Sequence, residues 1–301
     1  MKRLLDIRPH EMMHTKKDDL LNAIKASEGR TMVAEVIAPA PALLWDVSNP
    51  ELASAFGADM LILNMYDTDH PTIFSYPYEG NTLLKDLSST VGRMVGINLE
   101  PVSNQALMDE KTEISKGRIA TVESATKAFQ QGAQYLLLTG NPKTGVTNDE
   151  IIAAIKEISN ALGRDLIIMA GKMHSAGIAS ETSRQMLNKK DIDAFIAAGS
   201  DIILIPAPGT VPGFSESYVA ELVDHIHLNG KLAMSAIGTS QEGSDKETIK
   251  AIALAAKRAG VDLHHIGDAG YPGIAVPENI MHYSIAIRGI RHTYRRMAMR
   301  K

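Results

Sequence analysis

The sequence predicts an α/β protein that forms a single (β/α)8 TIM barrel with an N-terminal helical extension. The first observation is a repeat, in which a helix-like segment ends in Gly and leads into a short apolar run, at 55–63, 130–138, 197–205 and 258–266. The second is a set of four further apolar runs between these, at 31–38, 93–100, 165–172 and 231–238. Together they give eight candidate strands, spaced about 30 residues apart as strand-plus-helix units are.

The elements follow one another in the order that a barrel needs. Residues 1–30, with the helical stretch KKDDLLNAIKASEG, would close the bottom of a domain that spans 1–301. Each Gly suits the left-handed position just past a helix end, and runs that are apolar on both faces suit buried parallel strands. Helices should begin where Thr147 precedes Glu150 and where Ser244 precedes Glu247, because both pairs have capping-box spacing. The rival, a doubly wound open sheet, would carry a Gly-rich fingerprint after its first strand, and VIAPAPALLW has none.

Composition excludes several classes of protein. The chain has 301 residues, a net charge of −4 and no cysteine, so disulfides, thiolate catalysis and sulfur-ligated metals are excluded. The near-neutral charge argues against nucleic-acid binding, and no run reaches the roughly 18 apolar residues of a membrane span. We therefore expect a cytoplasmic protein, a homo-oligomer, with no nucleic-acid or membrane partner.

Polar side chains follow the apolar runs at the strand ends, where a TIM barrel places its active site. In strand order these residues are Glu35, Asn64, Asp67, Asn98, Glu100, Thr139, Asn141, Lys172, His174, Pro206, Ser235 and Asp268. Alternate residues of a strand point the same way, so Asn98 should share a side with Glu100, and Lys172 with His174. We predict Glu35, Glu100, Lys172 and His174 as catalytic residues, and Asn64, Asn98, Asn141, Ser235 and Asp268 as substrate-binding residues.

Lys172 has three alternative roles at this end of the barrel. It could pair with a carboxylate, hold a substrate anion, or form a Schiff base with a substrate carbonyl. Pairing with Glu35 or Glu100 is the simplest, because an unpaired buried ammonium is costly. His174 is then the proton carrier near neutral pH.

The turns after strands 7 and 8 predict a phosphate site. Glycines let backbone amides converge on an anion, and the loops after strands 7 and 8 often bind phosphate in TIM barrels. The predicted phosphate-binding residues are Gly238, Thr239, Ser240, Gly267, Gly270 and Gly273.

Two short motifs suggest other chemistry. HEMMH at 10–14 matches a zinc-protease pattern, but it directly follows Pro9 and precedes any strand that could frame a substrate. Asp67 and Asp69 after an apolar strand resemble the nucleophilic aspartate motif of phosphatases. Those enzymes have a small hydroxyl or β-branched residue where this chain has Pro71.

Several longer stretches resemble one family. They include EGRTMVAEVIAPAP, LLTGNPKTGVTNDEI, AGKMHSAG, MSAIGTSQEGSDKETI and HIGDAGYPGIAVPENI. The family is a bacterial group of TIM-barrel-like proteins, some of which are labelled haloacid dehalogenase-like hydrolases. The resemblance covers nearly the whole chain and implies the barrel, but it implies no established reaction.

These observations predict an enzyme that acts on a small phosphorylated metabolite, a sugar phosphate, as a lyase of the aldolase type or as an isomerase. Glu35 and Glu100 would exchange protons, while Lys172 and His174 would polarise the carbonyl or supply the acid. The alternative is a metal-dependent hydrolase, in which Glu35, Glu100, His174 and Asp268 hold a divalent ion as cofactor. A non-catalytic regulator that binds a metabolite is the third hypothesis.

Overall fold

Eight parallel strands form a closed barrel in the order β1 to β8, with β8 beside β1. The computed structural model describes residues 2–12, 14–78, 80–102, 114–175 and 183–299. The strands are β1 (Thr31–Ile37), β2 (Met60–Asn64), β3 (Met94–Leu99), β4 (Tyr135–Leu138), β5 (Ile167–Gly171), β6 (Ile202–Pro206), β7 (Leu232–Ile237) and β8 (Leu263–Ile266). The predicted TIM barrel is confirmed, and the open doubly wound sheet is wrong.

Helices surround this barrel. Within the described residues they are α1 (Pro9–Met12), α2 (Lys17–Lys25), α3 (Asn49–Ala55), α4 (Leu83–Val91), α5 (Val122–Gln131), α6 (Asn148–Leu162), α7 (Lys189–Ala198), α8 (Glu216–Leu228), α9 (Lys246–Arg258) and α10 (Pro277–Ala298). Gly289 interrupts α10 with a φ of 76°. No helix in the described part of the chain is long and apolar enough to cross a bilayer.

Alternate side chains of each strand fill the barrel interior. Ile62, Leu137 and Met234 belong to this inner apolar cluster. Leu4, Met12 and Ile24 of the N-terminal segment join the same cluster, which also contains the first residues of β2 and β3. The N-terminal segment therefore packs at the end of the barrel where the strands begin, and the polar strand ends lie at the opposite end.

The two predicted helix starts have different outcomes. Thr147 caps α6, because its hydroxyl accepts from the Glu150 amide at 3.2 Å and the Glu150 carboxylate accepts from the Thr147 amide at 2.8 Å. At α9 the predicted cap, Ser244, is wrong by one residue. Asp245 accepts from the Thr248 amide at 2.8 Å, while Asn279 holds the Ser244 carbonyl outside the helix.

His264, a buried histidine of the barrel wall, should make the stability of the protein depend on pH. Its ring is buried between β8 and α10, with Nε2 3.0 Å from the Gly29 carbonyl oxygen and Nδ1 3.3 Å from the Tyr283 hydroxyl. These partners fit a neutral ring, which donates from Nε2 and accepts at Nδ1. Burial lowers the pKa of His264 to about 3.

We expect His264 to reduce stability as the pH falls from about 6.5 towards 3. Across that window the unfolded chain binds a proton that the folded chain does not, so the free energy of unfolding falls. At pH 4.5 the loss is roughly 2 to 3 kcal/mol. The measurement is denaturant unfolding of wild type and His264→Gln at pH 7 and 4.5. His225→Gln, at a partly exposed histidine, is the control, and an equal pH dependence in wild type and His264→Gln would contradict the prediction.

Candidate active site

A cavity of about 290 Å³ opens at the ends of the strands, where the sequence predicts the site. Six of the predicted catalytic and substrate-binding residues line it, namely Glu35, Asn64, Asn98, Asn141, His174 and Asp268. Glu100, Lys172 and Ser235 are not among its lining residues. The prediction that all four catalytic residues face one cavity is therefore wrong for Glu100 and Lys172.

A network of asparagines forms one wall of the cavity. The backbone amide of Met65 donates to Asn64 Oδ1 at 2.9 Å, which fixes this atom as the amide oxygen. Asn98 Nδ2 and Asn141 Nδ2 then donate to the same oxygen, at 3.3 and 3.0 Å. Asn64 Nδ2 donates in turn to Asn141 Oδ1 at 2.8 Å and to Asp268 Oδ2 at 2.9 Å. The orientation of every amide in this wall thus follows from one backbone contact.

Asp268 is the most strongly perturbed carboxyl of the cavity. Burial, followed by the nearby charge of Glu35, raises its pKa to about 7, against the opposing effect of the hydrogen bond from Asn64. A group that titrates near neutral pH can accept and return a proton under physiological conditions.

Two histidines lie beside the carboxylates. His265 Nε2 is 2.9 Å from Glu35 Oε2, and both side chains are buried. Burial lowers the pKa of His174, with the charge of Lys172 adding to this effect and that of Glu35 opposing it. His174 is therefore neutral at physiological pH, so that its ring can donate one hydrogen bond and accept another.

Glu100 is turned towards a neighbouring loop. Its carboxylate accepts from Arg118 at 2.5 Å and from the backbone amide of Asn141 at 3.3 Å. The alternation of side chains along β3 predicted that the Glu100 side chain points into the barrel. Arg118, 18 residues further along the chain, binds its carboxylate instead. Glu100 thus positions Asn141 from behind the cavity wall.

Lys172 and Ser235 also lie outside the cavity. β5 ends at Gly171, so the alternation that would pair Lys172 with His174 stops before either residue. Burial lowers the pKa of Lys172 to about 8, and the carboxylates that oppose this effect are Glu150 and Asp191, at the starts of α6 and α7. These two acids replace the predicted partners Glu35 and Glu100. Ser235 is buried on the opposite side of its strand, against Tyr283 of α10.

The predicted phosphate residues divide into two groups. Gly238, Thr239, Ser240 and Gly267 line the cavity, and Thr239 and Ser240 have left-handed backbones with φ of 61° and 67°. Such strain in residues with side chains is concentrated at functional sites. Gly270 and Gly273 lie behind them, because a Cβ would approach Ala275 at one and Ala40 at the other.

The sequence analysis missed Glu242, which lines the cavity, and His265, which is buried next to the lining residue Glu35. The Glu242 carboxyl faces loop 8, with Oε1 close to Gly267, and the backbone amides of Glu242 and Ala269 favour its ionised form. Burial, with a smaller contribution from the charge of Glu35, raises its pKa. Strand parity could have identified His265, two residues before Gly267. Nothing in the sequence of the loop indicates the direction of the Glu242 side chain.

The predicted divalent metal site does not fit this arrangement. Glu100 faces Arg118, so the predicted set of four ligands does not assemble. Among the described residues, no three His, Cys, Asp or Glu side chains converge in a way that could hold a metal ion. The HEMMH histidines lie in the N-terminal segment, at the other end of the barrel from the cavity.

Comparison with known proteins gives a family for this chain. Residues 5–301 match the model described as "Domain of unknown function (DUF7916)". The chain belongs to this family. A search of curated proteins found no match.

Solved structures of similar fold include two enzymes. One is a thiamine phosphate pyrophosphorylase from Pyrococcus furiosus, with 10% identity, a TM-score of 0.48, and coverage of 87% of this chain and 97% of that one. The other is a 2,3-dimethylmalate lyase of the PEP mutase/isocitrate lyase superfamily, with 12% identity, a TM-score of 0.49, and coverage of 83% and 80%. At these identities and TM-scores neither structure indicates a reaction for this chain.

We expect Glu100→Gln to reduce any activity of the cavity more than Asp67→Asn does. Glu100→Gln weakens the pairing with Arg118 and the hold on Asn141, and a small displacement of a binding residue can cost about tenfold or more in turnover. Asp67 does not line the cavity; its carboxylate accepts from the amides of Asp69 and His70 and packs against Gly117. The two variants are compared by turnover with one substrate. A covalent aspartyl intermediate on Asp67, detected by intact mass, would instead support the dehalogenase-like label.

Proposed function

We infer that this protein is an enzyme of the isomerase or lyase type that acts on a small phosphorylated metabolite in the barrel mouth. The observation that carries this inference is Asp268, a cavity carboxyl whose pKa is raised to about 7. Isomerisation of a hydroxy carbonyl compound and its cleavage between carbons both pass through an enolate, and both begin when such a base removes a proton from the substrate.

Two residues of the cavity have separate roles in this chemistry, one as the base and one as a hydrogen-bond donor. Ionised Asp268 takes a proton from the carbon beside the carbonyl, and the electrons of the broken C–H bond form the enediolate double bond. Neutral His174 donates a hydrogen bond to the oxygen that gains the negative charge. Return of the proton to the neighbouring carbon completes an isomerisation. In a cleavage, Asp268 instead takes the proton of a hydroxyl group on the second carbon from the carbonyl, and the bond between that carbon and the one beside the carbonyl breaks. The hydroxyl carbon becomes a new carbonyl, the electrons of the broken bond form an enolate that His174 stabilises in the same way, and the enolate carbon then takes back the proton.

The phosphate group of the substrate would rest on the strained turn at Gly238 to Ser240. Backbone amides of a tight turn are suited to bind an anion. The Glu242 carboxyl lies against Gly267 of loop 8 and would repel an anion there, so the loop 7 turn is the better candidate for the phosphate. A crystal soaked in sulfate tests this part alone, and density elsewhere in the protein, or none, would argue against a phosphorylated substrate.

Deuterium exchange tests the enzyme hypothesis without knowledge of the product. The protein is incubated in D2O with phosphorylated hydroxy aldehydes and ketones, and the carbon-bound protons are followed by NMR. Enolisation replaces the proton beside the carbonyl with deuterium, even where the overall reaction does not proceed. Binding of a compound without exchange would favour the regulator hypothesis.

A further inference from the structure

Two buried oxygen atoms of the cavity have no hydrogen-bond partner among the described residues. They are Asn98 Oδ1 and Glu242 Oε2, and each residue is only 3% exposed. Asn98 belongs to β3, whereas the Glu242 carboxyl lies against Gly267, just past the end of β8 and three strands away around the barrel. The two residues therefore belong to different walls of the same cavity.

Asn98 Oδ1 is fixed as an acceptor, and Glu242 Oε2 is an acceptor when the carboxyl is ionised. Asn98 must direct its NH2 group at Asn64 Oδ1, because the Met65 amide already identifies that atom as an oxygen. This leaves Asn98 Oδ1 directed away from the network. On the other wall, Glu242 Oε1 lies so close to Gly267 that a Cβ there would come within 2.3 Å of it. Glu242 Oε2 is the oxygen left for a ligand.

Buried acceptors without a protein partner take hydrogen bonds from water, or from a ligand whose donors replace that water. A hydroxyl group fits both walls better than an ammonium group, because it also accepts hydrogen bonds. Thr139 lines the cavity with Asn98, Thr239 and Ser240 line it with Glu242, and all three residues carry hydrogen-bond donors. An ammonium group could not accept from any of these donors.

We propose that Asn98 and Glu242 each bind a different hydroxyl group of the substrate, which is therefore a small polyhydroxy carbonyl compound. This rests on the proposed function, because the carbonyl carbon has to lie between the two walls, within reach of Asp268. The proposal makes Glu242 a specificity-determining residue with no role in the proton transfer.

The test measures binding by calorimetry with phosphorylated aldoses and ketoses of three to six carbons as probes. The probe that binds best is then compared with its deoxy analogues, each of which lacks one hydroxyl. Glu242→Gln replaces one acceptor oxygen with a donor, and Asn98→Leu removes the acceptor from the other wall. Glu247→Gln, at an exposed glutamate of α9, is the matched control, and thermal melting shows which variants are folded.

We expect Glu242→Gln to weaken binding of the parent compound about tenfold, and that of one deoxy analogue less than about twofold. Asn98→Leu should give the same pattern with a different deoxy analogue. Equal losses for the parent and all analogues would overturn the proposal, as would a failure of every probe to bind or tighter binding of amino analogues.

Deuterium exchange on the same samples separates this proposal from the proposed function. Selective binding of the hydroxyl groups without exchange would support the proposal and count against the enzyme. Exchange at equal rates in the parent and all deoxy analogues would support the enzyme and overturn the proposal.

Discussion

Asp268→Asn is expected to lower turnover about 100- to 10,000-fold, the usual contribution of a positioned acid or base. The substitution removes the titrating group and little else, because an asparagine oxygen can still accept the hydrogen bond that Asn64 donates to Asp268 Oδ2. Turnover is measured with the compound that exchanges deuterium fastest in wild type. Asp67→Asn, the same substitution outside the cavity, should change turnover less than about twofold.

The pH profile distinguishes proton transfer from a structural effect. Since the pKa of Asp268 is about 7, kcat/KM of the free wild-type enzyme should change with an inflection near pH 7. Glu242→Gln and Glu100→Gln should keep an inflection, because Asp268 still titrates in both. A residual activity of Asp268→Asn that kept the wild-type profile would show that another group carries the proton.

The pH dependence of the free energy of unfolding is an independent check on the raised pKa of Asp268, and here stability falls as the pH rises. The folded pKa of Asp268 lies above its unfolded value of about 3.9, so the folded chain binds more protons between these values. Its contribution to stability is therefore lost as the pH rises towards 7. Asp268→Asn lacks this loss and should be at least as stable as wild type at pH 8, so an inactive variant would still be folded.

The fold could be predicted because its signal repeats. Each strand carries its own apolar run, and the Gly that precedes four of them marks a helix end with a definite backbone conformation. The starts of α6 and α9 show the limit of such local rules. Thr147 caps α6 as its spacing from Glu150 predicts. At the start of α9, Ser244 and Asp245 are both suitable caps, and the hydrogen bond from the distant Asn279 to the Ser244 carbonyl leaves Asp245 as the cap.

The site could be predicted only as far as the strands extend. Parity correctly placed Asn98 in the cavity because β3 continues to Leu99. It failed for Lys172, one residue beyond the end of β5, and for Glu100, which a loop arginine binds. Glu242 lies in a turn that begins with two left-handed residues, and neither Thr nor Ser signals that conformation. Contacts between distant segments therefore decide which strand-end residues reach the substrate.

Asp59→Asn is expected to lower the free energy of unfolding by about 3 to 5 kcal/mol, because it leaves buried positive charge without its partner. Asp59 lies just before β2 and is fully buried. Its Oδ2 accepts from Arg288 at 2.5 Å and from the Met32 amide at 2.8 Å, while its Oδ1 is 2.7 Å from Arg296 Nε. Since the two arginines lie on either side of the break at Gly289, this one carboxylate ties both halves of α10 to the barrel.

The origin of that loss can be tested with a second substitution. Burial lowers the pKa of Arg296, and the Asp59 charge opposes this effect, so the arginine depends on that carboxylate. If unpaired charge causes the loss, Asp59→Asn combined with Arg296→Met should be more stable than Asp59→Asn alone. Asp193→Asn, which removes the partner of His225 at a 55% exposed carboxylate, should cost less than about 1 kcal/mol. Denaturant unfolding of the four proteins decides the question, and a double variant less stable than Asp59→Asn would show that Arg296 stabilises α10 through its packing and its other contacts.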